Sequence, residues 1–168
     1  VKRARQTLEV AQSTLAAISR PAERQQARAC LATSHAALKE FDEALKQVRD
    51  IELGYTHSFV LSRIVLAMAR SGQMVEAVRL AESIQGAKLR INTFVSMSAI
   101  AKRNGDGAEA ASLGDQAVTL AQELTNPLDK AFVLADLATS QAAGGNRAAG
   151  QATLYEAVSV AAKIADPW

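Results

Sequence analysis

Cysteine is almost missing from this 168-residue chain. Cys30 alone has no partner for an internal disulfide, which excludes a disulfide-stapled scaffold and every cysteine-based zinc site. Aromatic residues are scarce at 4%, against 35 alanines, about a fifth of the chain, and that balance argues against a β-sandwich and for close-packed helices. An excess of one charge sign is lacking too. The 19 basic and 17 acidic side chains leave a formal +2, too little to argue for nucleic acid by electrostatics alone. No apolar run approaches the roughly 20 residues needed to cross a bilayer. The longest uncharged stretch, near Ile91 to Ala101, is interrupted by Asn92, Thr93, Ser96 and Ser98. The 49% of hydrophobic residues is still enough to build a core, and the 21% of charged residues enough to solvate it. The chain starts at Val1 rather than Met, so a processed or excised piece is expected, with any targeting segment removed.

What the chain has instead is a repeat. The segments Phe41 to Glu52, Met74 to Gln85 and Gly107 to Val118 each carry Glu-Ala at the same place, with Ala44, Ala77 and Ala110 spaced by 33 and 33. A longer period follows: Gly105 to Pro127 matches Gly145 to Pro167 at a shift of 40, pairing Ala117 with Ala157, Ala121 with Ala161 and Pro127 with Pro167. The second helices of the last two units are therefore expected to be about two turns longer than the earlier ones.

Each unit reads as two helices. Phe59, Ile64, Leu66 and Met68, then Val75, Val78, Leu80 and Ile84, recur without β-type alternation, and Ser71-Gly72 breaks the pattern between them. Asn104-Gly105-Asp106-Gly107 and Gly144-Gly145-Asn146 punctuate the next two units, offering residues that accept positive φ. Between units the signals are Ser19-Arg20-Pro21, Gly54-Tyr55-Thr56, Gly86 and Asn126-Pro127. The expectation is an all-α single domain over 1–168 with nine helices, roughly 2–18, 22–38, 40–52, 56–71, 73–85, 88–103, 107–125, 128–143 and 147–165. Alanine then has a physical reason: one methyl lets neighbouring helices approach closely and loses no rotamer entropy. Leu31, Leu38, Phe41, Leu61, Ile64, Met97, Ile100, Leu134 and Leu137 fill the gaps.

On these residues the sequence resembles the tetratricopeptide repeat family, whose unit is a pair of antiparallel helices of about 34 residues. A large residue followed by a small one appears at Leu31-Ala32 and Leu137-Ala138, and departs from that pattern at Ile64-Val65 and Met97-Ser98. The small residue in the first turn of the second helix is matched by Ala44, Ala77, Ala110 and Gly150. Near the end of that helix Ala117 and Ala157 fit, whereas Ile51 and Ile84 do not. HEAT-type repeats also fit the 40-residue spacing; Sel1-type repeats would want Leu-Gly pairs that this chain lacks. The resemblance implies a right-handed superhelix whose concave surface, lined by first helices, binds a peptide or partner protein as a scaffold or adaptor, without catalysis or a cofactor.

Carried over residue by residue, the resemblance implies groove-facing sets: Gln26, Cys30, Thr33 and Ala37; Phe59, Arg63, Leu66 and Arg70; Asn92, Ser96, Ala99 and Arg103 with Lys102 beside them; and Phe132, Asp136, Thr139 and Ala143. The steps of three and four put each set on one helix face. Arg63, Arg70, Lys102 and Arg103 with the donor Asn92, flanked by Phe59 and Phe132, form the partner-binding candidates, suited to a carboxylate or an acidic segment. The competing reading is that Arg70, Lys102 and Arg103 are solvated charges in last turns, where the helix dipole favours cations. Catalysis has little support, since His35 and His57 lie in different units and Cys30 and His35, five apart, diverge on a helix. Asp42, Glu43, Asp106 and Glu109 are carboxylates at helix starts. Gly144 to Gly150 lacks the Lys-Ser/Thr ending of a phosphate loop. Pentatricopeptide-type RNA binding is the rival from another class, disfavoured by the small basic cluster; a helical domain of a larger enzyme is another. At the C-terminus the expectation is that Val158, Ala162, Ala165 and Trp168 cover the end of the array, or that the exposed edge packs on a symmetry mate or on the rest of a longer protein.

Overall fold

The same turn is built four times. Lys39, Gly72, Gly105 and Gly145 all have positive φ, at 63°, 90°, 85° and 85°. The residue after each donates its backbone N–H five residues back, from Glu40 to His35, Gln73 to Met68, Asp106 to Ala101 and Asn146 to Gln141, at 2.9–3.0 Å. This bond satisfies a carbonyl left over at a helix end and reverses the chain into the next helix. The recurrence at 33, 33 and 40 residues is the sequence repeat expressed in backbone geometry.

The computed structural model describes residues 2–165. Among these residues there are nine α-helices and no strand, in the order α1 (Lys2–Thr14), a 3₁₀ turn (Leu15–Ala17), α2 (Pro21–Ala37), α3 (Phe41–Arg49), α4 (Tyr55–Arg70), α5 (Met74–Glu82), α6 (Ala87–Arg103), α7 (Gly107–Gln122), α8 (Pro127–Ala143) and α9 (Arg147–Ala165). The chain forms two compact units, Val1–Gly86 and Ala87–Trp168. In the first, α2 packs on α3 and α4 on α5, with α2 also beside α4 and α1 against α2. In the second, α6 packs on α7 and α8 on α9, with α7 and α6 each touching α8. The all-α architecture of adjacent helix pairs is thus the one read from the sequence.

Local chemistry sets the helix starts. Asn126 Oδ1 accepts from the N–H groups of Leu128 and Asp129 at 2.9 and 3.3 Å, and Pro127 occupies the first helical position. Asp106 Oδ1 accepts from Glu109 N–H at 3.0 Å. The ends depart from expectation. α1 stops at Thr14 rather than near 18, because a 3₁₀ turn buries Leu15 and the Arg24 guanidinium donates to the Ile18 carbonyl at 3.0 and 2.7 Å. α3, α5 and α7 finish about three residues early, where Ile51, Ile84 and Leu124 bond three residues back and tighten the chain out of the α-helix.

The register of the second helices explains the small residues. Ala44, Ala77 and Ala110 are buried, and so is Gly150. A Cβ on Gly150 would lie 2.8 Å from the Ala138 carbonyl oxygen and 3.1 Å from Ala142 N, so α8 and α9 touch backbone to backbone there. In α6 and α7 the matching contact is a hydrogen bond, Ser98 Oγ–H to the Ala110 carbonyl at 2.6 Å. Seven residues on, Ile51, Ile84, Ala117 and Ala157 are all buried. The expected core residues are buried as well, with Leu38 half-buried.

Candidate partner-binding surface

Every residue assigned to the groove-facing sets lies on the solvent side of its helix, with Thr33, Leu66 and Ser96 half-buried and the others exposed. These positions fall in one register. Phe59, Asn92 and Phe132 are equivalent, as are Arg63, Ser96 and Asp136, and Arg70, Arg103 and Ala143.

In the first unit the exposed face of α4 opens with an aromatic pair. Tyr55 and Phe59, one turn apart, stack with ring centroids 5.9 Å apart and planes 18° from parallel, yet Tyr55 is 76% and Phe59 42% exposed. Offset stacking of this kind is worth about 0.5–1.5 kcal/mol beyond burial and holds both rings in place. Arg63 follows one turn on and Arg70 two turns after that, both exposed. Helix α4 carries no acidic residue. Tyr55 is absent from the sequence-based set; its signal was the four-residue step to Phe59 straight after Gly54.

In the second unit, Asn92, Lys102 and Arg103 sit exposed on α6, which also has no acidic residue. Phe132, on the neighbouring α8, is 60% exposed and is preceded one turn earlier by the exposed Leu128, a pairing that repeats Tyr55 and Phe59 in register. Unlike α4, α8 places Asp136 one turn after its aromatic residue. The Lys102 ammonium lies against the Gly144-Gly145 turn that ends α8. It therefore serves two helix C-termini, its own and that of α8, where the dipoles favour a cation. The seven candidates thus fall into two groups, Phe59, Arg63 and Arg70 in the first unit and Asn92, Lys102, Arg103 and Phe132 in the second. Among the described residues, Arg63, Arg70, Lys102 and Arg103 take part in no ion pair.

Charged clusters elsewhere knit the fold. Arg5 Nε–H donates to Glu40 Oε1 at 2.5 Å and His35 Nδ1–H to Glu40 Oε2 at 2.9 Å, tying α1, α2 and the start of α3 together. The hydrogen bond from His35, with further help from Arg5, holds the Glu40 carboxyl below the usual carboxylate range. Arg28 pairs with Asp50 across α2 and the end of α3. An open depression of about 470 Å³ lies in the first unit on the second-helix side, with Phe41, Leu45, Met68 and Leu80 below a rim of Lys39, Asp42, Glu76 and Arg79. Cys30 is exposed and free. Among the described residues no group of three His, Cys, Asp or Glu side chains is placed to hold a metal, and no helix is long and apolar enough to cross a membrane.

Compared with known proteins, the chain matches no family model, no curated protein and no solved structure.

Proposed function

We propose that the exposed face of α4 in the first unit and that of α6 in the second are each a docking surface for another protein, that the ligand is an acidic peptide segment carrying apolar side chains, and that the chain works as a tetratricopeptide-like adaptor without chemistry of its own. One observation carries this reading: α4 and α6 expose cations and contain no acidic residue, while the second helices α3 and α5 carry both signs. Unpaired guanidinium groups offer forked donors to carboxylates. The rigid Tyr55–Phe59 stack beside Arg63 offers an apolar anchor that loses little entropy on binding.

The test is fluorescence anisotropy with a labelled Glu/Leu-rich peptide against the parent chain, Arg63→Ala/Arg103→Ala and Tyr55→Ser/Phe59→Ser. Both double variants are expected to weaken binding by more than about tenfold, the usual consequence of losing interface anchors. Equal binding by the arginine variant, together with weakening by substitutions on α3 or α5, would place the surface on the other side. Retention on a polyanion column with a steep salt dependence would favour RNA instead.

A further inference from the structure

The exposed face of α4 is divided along its length. At the N-terminal end Leu53, Tyr55 and Phe59 are 73%, 76% and 42% exposed, and no Lys, Arg, Asp or Glu lies from Leu53 to Ser62. At the C-terminal end Arg63 and Arg70 are exposed, with the half-buried Leu66 and Ala67 between them. Neither arginine has an ion-pair partner among the described residues. Helix α2, which packs beside α4, adds no charge in this register: the residues one repeat before Phe59, Arg63, Leu66 and Arg70 are Gln26, Cys30, Thr33 and Ala37. Aromatic and basic groups are therefore not interspersed on this surface but occupy its opposite ends. The separation belongs to α4 rather than to the repeat, since α8 places Asp136 where α4 has Arg63.

We infer that α4 reads the order of residues in its ligand: a peptide segment with its apolar side chains grouped at one end, on Tyr55 and Phe59, and its carboxylates grouped at the other, on Arg63 and Arg70. The inference rests on the docking surface proposed above and adds to it the arrangement of the ligand. From Tyr55 to Arg70 the face runs about 22 Å along the helix axis, a span that an extended segment of about seven residues covers. An apolar side chain set against the Tyr55–Phe59 stack removes apolar surface from water on both partners. A carboxylate in the same place would give up its hydration with no cation to replace it. The reverse holds at Arg63 and Arg70, where a carboxylate accepts forked hydrogen bonds and an apolar side chain leaves the guanidinium without a partner. A ligand of the same composition in which the two kinds of residue alternate is mismatched at both ends.

Fluorescence anisotropy with short labelled peptides of one composition tests this: leucines followed by glutamates, glutamates followed by leucines, and the two alternating, each with Gly/Ser spacers. Both grouped peptides are expected to bind more than about tenfold tighter than the alternating one. Changing the outermost glutamate of a grouped peptide to glutamine should abolish the effect of Arg70→Ala on its binding and leave the effect of Tyr55→Ser unchanged, the coupling that a double-mutant cycle reads. Both substitutions are at exposed helical positions and are checked by circular dichroism. Equal binding of all three peptides, each still weakened by Tyr55→Ser/Phe59→Ser and by Arg63→Ala, would overturn the ordered reading and leave the docking surface standing. Binding of none of them would overturn the docking surface and this reading with it.

Discussion

The two compact units solve one packing problem with different materials. In the first, the second helices α3 and α5 have 9 residues each, and the buried position seven residues after the first-turn alanine is a bulky isoleucine, Ile51 or Ile84, just beyond the helix end. In the second, α7 and α9 run for 16 and 19 residues, and the same position lies inside the helix as Ala117 or Ala157. Where the helix continues, that position meets a neighbouring helix and only a methyl fits. Where the helix has ended, the chain turns inward and a large side chain closes the core. The lesson is that residue size at one register follows helix length, so the departures of Ile51 and Ile84 from the family pattern accompany short second helices.

Exchanging the two solutions should give the largest effects. Ile51→Ala leaves a cavity at the end of α3 and is expected to lower stability by about 2–5 kcal/mol in chemical denaturation. The reciprocal Ala117→Ile forces three carbons into a closed helix contact and should cost about 1–3 kcal/mol. If Ala117→Ile were neutral, helix length would not be what selects the alanine. Gly150→Ala sharpens the point within the second unit. Its methyl would meet the Ala138 carbonyl oxygen, so a loss of about 1–3 kcal/mol is expected, outweighing the ~1 kcal/mol that alanine otherwise gains over glycine in a helix. Gly114→Ala, with Ser98 Oγ at 3.7 Å, should be neutral or slightly stabilising in the same assay.

A smaller effect is expected at the repeated turn. Three of its four copies place glycine at the positive φ and the first places Lys39. Lys39→Gly relieves that backbone and should stabilise the first unit by about 0.5–1 kcal/mol, whereas Gly72→Lys should destabilise it. The most local effect concerns α1, which contributes no buried residue of its own and reaches the rest of the first unit through Arg5 and Glu40. The Glu40 carboxyl is lowered in the folded state, chiefly by the His35 hydrogen bond. Its contribution is therefore complete above the ordinary carboxylate range, about pH 4, and is lost as pH falls through the depressed folded value. Hydrogen exchange over residues 2–14 should accelerate in that acidic window in the parent, and already be fast at neutral pH in Glu40→Gln.

The helix pairs were legible because their signals are local. Gly72, Gly105 and Gly145 mark the turns, Pro21 and Pro127 the starts, and the Glu-Ala recurrence the period. Lys39 escaped notice, since nothing in its chemistry announces a left-handed residue and only the 33-residue spacing to Gly72 points to it. The three- and four-residue steps put Phe59, Arg63 and Arg70 on one face of α4 and Asn92 and Arg103 on one face of α6, the resemblance chose which face, and these residues and Phe132 are exposed. Tyr55 was missed because it stands at a helix start, where an aromatic residue reads as part of the turn. The turn of Lys102 toward the end of α8 depends on a neighbour 42 positions away, which no periodicity encodes. Trp168, named with Val158, Ala162 and Ala165 as covering the C-terminal end, lies outside the described residues, as does Pro167, the repeat counterpart of Pro127.

The sequence by itself determined the helices, their pairing and which faces meet water, because periodicity, turn chemistry and the entropy of small residues act over a few bonds. Tertiary structure decided where a methyl is the largest group that fits, which cations serve helix ends and which stay open, and that Leu154, Tyr155 and Val158 of α9 are exposed. Those outcomes depend on distances between backbones far apart in the chain, and close approach is fixed only once the helices have packed.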